Sequence, residues 1–341
     1  MDLESRVSSK LSNIINCNNY IFCGYSRNCL YLLLKALNLN INDEIIVPGF
    51  ICESIIQVIR QAALRPIFVD VDYESVNISP EKIIKAITSK TKIIYVIHSF
   101  GICSKIDEIS SIAKKNSLIL IEDIAHSLGS SIKDRQLGTF GQFVILSFTK
   151  TMINYQGGAI ATNDVIILNK MKELKTSLTS IDTRNQWLKK AKYNAYRILC
   201  SIWECRGSLL SLFIIKLLSL FKNKSEIKSL SELNPSCFGI SKLSLGITYF
   251  QLSFQLRNKY KNKRNKKYIS SIWRKSKYIQ CIPLHEKQTG LLPNYICGFI
   301  LNNNNFFRLF SLPIWKNSSY ICLKQSQKNY KSLRLFPKSI W

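Results

Sequence analysis

The sequence predicts an α/β fold, a mostly parallel sheet covered by helices on both faces. Short runs rich in Ile, Val and Leu recur from residue 20 to beyond residue 157, and segments with helical spacing separate them. Strands buried on both faces read as continuous apolar runs rather than alternating ones. The chemically interesting side chains fall at or just past the ends of those runs, where open α/β sheets bind ligands.

Residues 3 to 16 have helical spacing, and Tyr20-Ile-Phe-Cys leads into the turn Gly24-Tyr-Ser-Arg-Asn28. From Cys29 the positions Leu30, Leu33, Leu34 and Leu37 continue as a helix. A small turn opening a buried helix can cradle an anion, because free N–H groups and the helix dipole point at it; an ordinary N-cap has the same appearance. Glu44–Pro48 reads as a strand, Glu53 to Ala63 as a helix, and Pro66–Asp70 as a strand. Pro80 to Ile87 is a helix with proline in its first turn. Lys92–Ile97 is a strand delivering His98, Lys105 to Asn116 a helix, and Ser117 to Asp123 a strand ending in two acids. Phe143 to Leu146 and the run after Gly157-Gly158 are two further buried strands, with Lys150 at their mouth. A lysine there suits covalent work on a carbonyl compound; the plain alternative is a loop lysine, one of 48 Lys plus Arg.

The 46% hydrophobic content excludes a disordered chain. No run reaches the ~20 apolar residues of a membrane span, and the acidic start, Met-Asp-Leu-Glu, is unlike a signal peptide, so a cytoplasmic protein without stable membrane insertion is expected. Leu209 to Phe221 is apolar but interrupted, and reads as a buried or amphipathic helix. Eleven cysteines without Cys-x-x-Cys spacing read as reduced thiols packed as small hydrophobes, and no metal site is expected. The net charge of +27 invites a nucleic-acid reading, but the excess gathers after about residue 185. Its densest run, Arg257 to Lys267, reads as a solvated helix face, and no nucleic-acid partner is expected.

Six motifs occur in one order: Gly24-Tyr-Ser-Arg-Asn-Cys-Leu-Tyr, Asn42-Asp-Glu-Ile-Ile-Val-Pro48, Pro66-Ile-Phe-Val-Asp-Val-Asp72, Val96-Ile-His-Ser-Phe-Gly101, Ile121-Glu-Asp-Ile-Ala-His126, and Ser147-Phe-Thr-Lys150 with Gly157-Gly-Ala159. This series resembles the DegT/StrS-like sugar aminotransferases over roughly residues 20 to 165, and Ser241 to Leu252 resembles the helix opening that family's second half. The resemblance implies a fold-type I architecture: a large domain, 1–235, with a mostly parallel seven-stranded sheet between helices, and a smaller α+β C-terminal domain, 236–341. It implies pyridoxal 5′-phosphate as cofactor, a nucleotide-linked keto-sugar and an amino-acid donor, glutamate, as substrates, a homodimer, and a place in surface polysaccharide biosynthesis.

By the same resemblance Lys150 would hold the cofactor and move the proton between the amino carbon and the cofactor. Asp123, 27 residues upstream, would pair with the pyridine nitrogen; its plain reading is an acid capping the next helix. His126 stands where relatives usually have glutamine beside the ring, or is a packed histidine. Ser147, Ser26 and Arg27 are the phosphate candidates, Arg27 equally a surface cap. Cys52 replaces an aromatic that many relatives stack on the ring, with Phe50 nearby, and His98 and Phe50 are substrate candidates, His98 equally structural. Three departures stand out: Ser147 and Lys150 are three positions apart where five is common, Cys237 and Gly239 replace an Asn/Arg pair, and the chain stops before the expected final helix. The departures motivate a second reading, a relative that binds the cofactor without transaminating.

Overall fold

The computed structural model describes residues 2–72, 75–152, 154, 156–178 and 239–257, with the short strand segments 280–281, 288–290, 299–300 and 320–322. Helix α1 spans Leu3–Ile15; Asp2 caps it by accepting the Ser5 N–H at 2.8 Å, and Asn16 ends it in the left-handed region. Strand β1 (Tyr20–Cys23) and helix α2 (Ser26–Ala36) follow, then β2 (Glu44–Pro48), β3 (Phe50–Cys52), α3 (Glu53–Gln61) and β4 (Arg65–Val69). Next come α4 (Pro80–Ala86), β5 (Thr91–Ile97), α5 (Ile106–Lys115), β6 (Ile119–Asp123) and the hairpin β7 (Ser130–Ile132) and β8 (Arg135–Gln136). The series closes with β9 (Phe143–Ser147), the one-turn helix α6 (Phe148–Thr151), β10 (Gly158–Thr162), α7 (Val165–Leu178) and α8 (Lys242–Arg257).

Seven strands form one sheet in the order β1-β10-β9-β6-β5-β2-β4. Strands β9, β6, β5, β2 and β4 run parallel, while β10 runs antiparallel to both of its neighbours, β9 and β1. The expected seven-stranded, mostly parallel sheet is therefore present. Period-two alternation divides its side chains between two apolar layers. Ile94, Val96, Leu120, Val144 and Leu146 pack with α1, α5 and α8 through Val7, Leu11, Ile106, Ile109, Leu245 and Leu252. Ile93, Tyr95, Ile121, Ile145 and Ile160 pack with α2, α3 and α7 through Leu30, Leu33, Ile56, Ile59, Leu168 and Met171.

The structure refines several sequence boundaries. Helix α2 begins at Ser26 rather than Cys29, so the predicted turn residues Ser26, Arg27 and Asn28 form its first turn. Strand β3 and the β7–β8 hairpin were not anticipated, because three-residue segments carry no periodicity to read. From the C-terminal part, Gln288–Gly290 pairs antiparallel with β7 and Tyr320–Cys322 with β3. The apolar run 209–221, residue 237 and the basic run 258–267 lie outside the described residues. No described helix is long and apolar enough to cross a membrane.

Strand β10 meets α2 through a glycine. A Cβ on Gly158 would lie 2.2 Å from the Ser26 nitrogen and 2.6 Å from the Tyr25 carbonyl carbon, so only a bare backbone fits. Those neighbours are backbone atoms and cannot step aside as a side chain would. Gly158→Ala is expected to cost about 3 kcal/mol or more in urea unfolding, since overpacking against backbone forces a main-chain shift. A loss below about 1 kcal/mol would show that α2 is not seated on β10 as described.

Candidate active site

Asp123 and Glu122 are adjacent at the end of β6, and alternation turns them to opposite faces of the sheet. Glu122 is fully buried, and accepts the backbone N–H groups of Gly138 at 2.6 Å, Phe140 at 3.0 Å and Gly141 at 3.2 Å. Its Oε1 also lies 3.1 Å from His98 Nε2. Burying a carboxylate costs several kcal/mol, and hydrogen bonds to a charged group return about 1.5–3 kcal/mol each, so this donor set is enough to hold Glu122 in place. Its work is structural: it ties the loop after β8 beneath the end of β6.

His98 belongs to that structural pair. The Ser104 backbone N–H donates to Nδ1 at 3.1 Å, and Nε2 faces Glu122, so both ring nitrogens are engaged by the protein. Burial disfavours the charged ring, while Cys103 and Glu122 favour it and raise the pKa to about 10. The Ser104 N–H pointing at Nδ1 places the first ring proton on Nε2, toward Glu122; a second proton on Nδ1 would give up that bond and donate to the Ser104 hydroxyl at 3.1 Å instead. The sequence offered His98 as a substrate or a structural residue; its two bonds are those of a structural one.

On the other face Asp123 accepts the Ala125 N–H on Oδ1 at 2.8 Å and the Tyr95 hydroxyl on Oδ2 at 2.5 Å. Burial pushes the Asp123 pKa up, opposed by Tyr95, Ala125, His98 and Lys150. Lys150 lies in α6, half-buried rather than on a solvated helix, directly after β9. Burial lowers the pKa of its amine, opposed by the fields of Cys52 and Asp123. His126, buried just past β6, is pushed well below the usual histidine range by burial and by Lys150, and is therefore neutral. Cys52 closes β3 with Sγ 3.2 Å from the Ser54 hydroxyl. The structure thus gathers Lys150, Asp123, His126 and Cys52, four residues the sequence singled out, at the carboxyl end of the parallel strands. Phe50 is buried on β3.

The other candidates are linked through Gly158. Ser147 stands opposite Gly158 in the β9–β10 register, and Gly158 touches the first residue of α2, Ser26. Ser147 Oγ lies 3.1 Å from the Thr149 hydroxyl. Helix α2 has no side-chain cap at Tyr25; the Asn28 N–H donates to the Tyr25 carbonyl at 3.1 Å, and no side chain caps the N–H groups of Ser26 and Arg27, while the Arg27 guanidinium lies over the Tyr25 ring at 4.3 Å. Asn28, in the same turn, is fully buried and its Oδ1 and Nδ2 have no hydrogen-bond partner.

Sequence reasoning missed Tyr95, Glu122, Asn28 and the loop beyond Lys150. Asn154 Nδ2 donates to the Ser244 carbonyl and the Thr248 hydroxyl, both at 3.0 Å. The Ser244 hydroxyl donates to the Gln156 carbonyl at 2.5 Å, and Gln156 Nε2 to the Gly239 carbonyl at 3.2 Å. Helix α8 thereby anchors the segment that follows the lysine. Gly239 takes part through its backbone carbonyl.

The family model for DegT/DnrJ/EryC1/StrS aminotransferases matches residues 8–201. The chain belongs to this family. GDP-perosamine synthase of Vibrio cholerae is 31% identical over 176 residues, 50% of this chain and 47% of that protein. UDP-2-acetamido-2-deoxy-3-oxo-D-glucuronate aminotransferase of Pseudomonas aeruginosa is 30% identical over 185 residues, 53% of this chain and 50% of that protein. The chain therefore matches about half the length of these curated relatives. Among solved structures, 3-amino-5-hydroxybenzoic acid synthase superposes with a TM-score of 0.65 at 17% identity, covering 88% of this chain and 68% of that one, which shows the shared fold.

The residues present fit pyridoxal phosphate. An ionised carboxylate has about four acceptor positions, and Asp123 uses two on Ala125 and Tyr95, leaving capacity for a protonated ring nitrogen. The uncapped start of α2 and the unpartnered Asn28 side chain provide donors of the kind a phosphate takes. No group of three or more potential metal ligands occurs among the described residues. Because burial favours the neutral amine at Lys150, amine-reactive labelling followed by mass spectrometry should show Lys150 reaching half-reaction at lower pH than the exposed lysines of the same digest. A Lys150 profile coinciding with theirs would remove the case for a desolvated amine.

Proposed function

We propose that this protein transfers an amino group from an amino acid, glutamate, to a keto-sugar carried on a nucleotide, using pyridoxal phosphate. The single observation that supports it most is the meeting of Lys150, whose amine is driven toward its neutral form, with the hydrogen-bonded carboxylate of Asp123. The bound cofactor supplies the electron sink that makes an α-proton of the donor removable. Lys150 would hold it and, as a neutral amine, would be the group able to take and return that proton. Asp123 pairs with the ring nitrogen and keeps that nitrogen protonated. Neutral His126 adds no competing positive charge beside Lys150. Ser147, Ser26, Arg27 and the N–H groups opening α2 would hold the phosphate, and Cys52 would border the ring.

The names of the relatives support the sugar. One is named for a GDP-linked and the other for a UDP-linked sugar, and the latter name specifies a 3-oxo acceptor. We extend the reading to surface polysaccharide biosynthesis and to a homodimer on the family resemblance.

Adding pyridoxal phosphate to the purified chain should give the visible absorbance of lysine-bound cofactor, and glutamate should convert that spectrum to the amine form. Lys150→Ala is expected to abolish the lysine-bound band and to lower turnover by roughly 10⁴-fold or more, as loss of an essential proton-transfer and attachment group does. A native protein that takes up no cofactor sinks the proposal; one that takes it up but never reaches the amine form removes the transamination step alone.

A further inference from the structure

Tyr95 is fully buried in the middle of β5, surrounded by Ile93, Ile121, Ile145 and other apolar side chains of the α2/α3/α7 layer. A phenylalanine would fill that space, and a buried hydroxyl is unfavourable unless it finds a partner. The partner here is Asp123. In the β5–β6 register Ile97 stands opposite Asp123, and Tyr95 is two residues earlier on the same face, so the phenol runs diagonally along the sheet to the carboxylate. Oδ2 is held by that hydroxyl and Oδ1 by the Ala125 N–H, which fixes both the plane of the carboxylate and its rotation.

We propose that Tyr95 is a positioning residue for Asp123, aiming the carboxylate at the ring nitrogen of bound pyridoxal phosphate and holding it in its hydrogen-bond-accepting, ionised form. The cofactor half of this statement rests on the function proposed above; the link between phenol and carboxylate does not. Besides Tyr95, the titratable group facing Asp123 among the described residues is Lys150 from α6; Cys52 from β3 faces Tyr95, while Glu122 and its partner His98, whose field also reaches Asp123, lie on the far face of β6. All of them remain in a Tyr95→Phe variant, so a comparison with the native chain isolates the hydroxyl.

The sign follows from linkage. Burial raises the folded-state pKa of Asp123, so the stability it contributes is complete below the unfolded carboxylate pKa and falls away as pH rises through the folded value. Removing the hydroxyl raises that folded value further and enlarges the loss at high pH. In the full-length chain without added cofactor, the unfolding constant of Tyr95→Phe relative to native is expected to be roughly tenfold larger at pH 8 than at pH 4 for each unit by which the pKa climbs. In an Asp123→Asn background, where position 123 no longer ionises, the pH dependence of the Tyr95→Phe effect is expected to disappear. A Tyr95→Phe deficit that is equal at both pH values, or one whose pH dependence survives Asp123→Asn, overturns the link and leaves Tyr95 as packing.

Titration with pyridoxal phosphate tests the second half. Tyr95→Phe is expected to weaken uptake about tenfold, and unchanged uptake overturns the positioning role. A native chain that binds no cofactor, with the pH dependence present as expected, overturns the functional reading instead.

Discussion

The site depends on two neighbouring buried carboxylates whose side chains must point in opposite directions. At the end of β6 the pleat gives Glu122 to one face and Asp123 to the other, and each finds its partner on the same parity of the adjacent strand or just past it. Glu122 meets His98, and Asp123 meets Tyr95. One acid is saturated by three backbone N–H groups and an imidazole, which makes it an anchor. The other accepts two hydrogen bonds and keeps acceptor capacity, which suits it to a ligand. A slip of one residue in β6 would exchange these environments, placing the saturated nest on the wrong acid.

Around this pair burial presses Lys150 and His126 toward neutrality, as the proposed chemistry needs. It presses Asp123 toward its neutral form as well, against the proposed role, and Tyr95 and the Ala125 N–H oppose that push. The loop after Lys150 is pinned to α8 by Asn154, Gln156 and Ser244 rather than by apolar contact alone, so the helix that opens the second half reaches into the site's support. Free thiols pack in the core at Cys17, Cys23, Cys29 and Cys103, while Cys52 is half-buried near the lysine.

Much of this was legible in the sequence because the information is local. Continuous runs such as Lys92–Ile97 and the acid pair at Glu122–Asp123 mark strands and their ends, and the ordered motif series ending at Lys150 marks the family. The remainder depends on register. Tyr95 looks like one more aromatic in an apolar run, and only its diagonal relation to Asp123 gives the hydroxyl a purpose. Nothing in residues 158–162 announces that β10 runs against the others, since an apolar strand reads the same in both directions. Asn154 was passed over for the same reason: its partners Ser244 and Thr248 lie some ninety positions away along the chain.

Among the described residues strand β1 stands at the end of the sheet, and its neighbour there is β10. Residues 20–23, among the first in the chain, therefore have no strand to pair with until residues 158–162 have been made and placed. The same late strand carries Gly158, against which the start of α2 is seated. Such long-range pairing is slow to form because a large loop must close before the contacts can reward it. The start of α2, proposed above to hold the cofactor phosphate, is thus encoded near the beginning of the chain yet seated only once β10 is in place, so that competence to bind would arise in a late stage of folding.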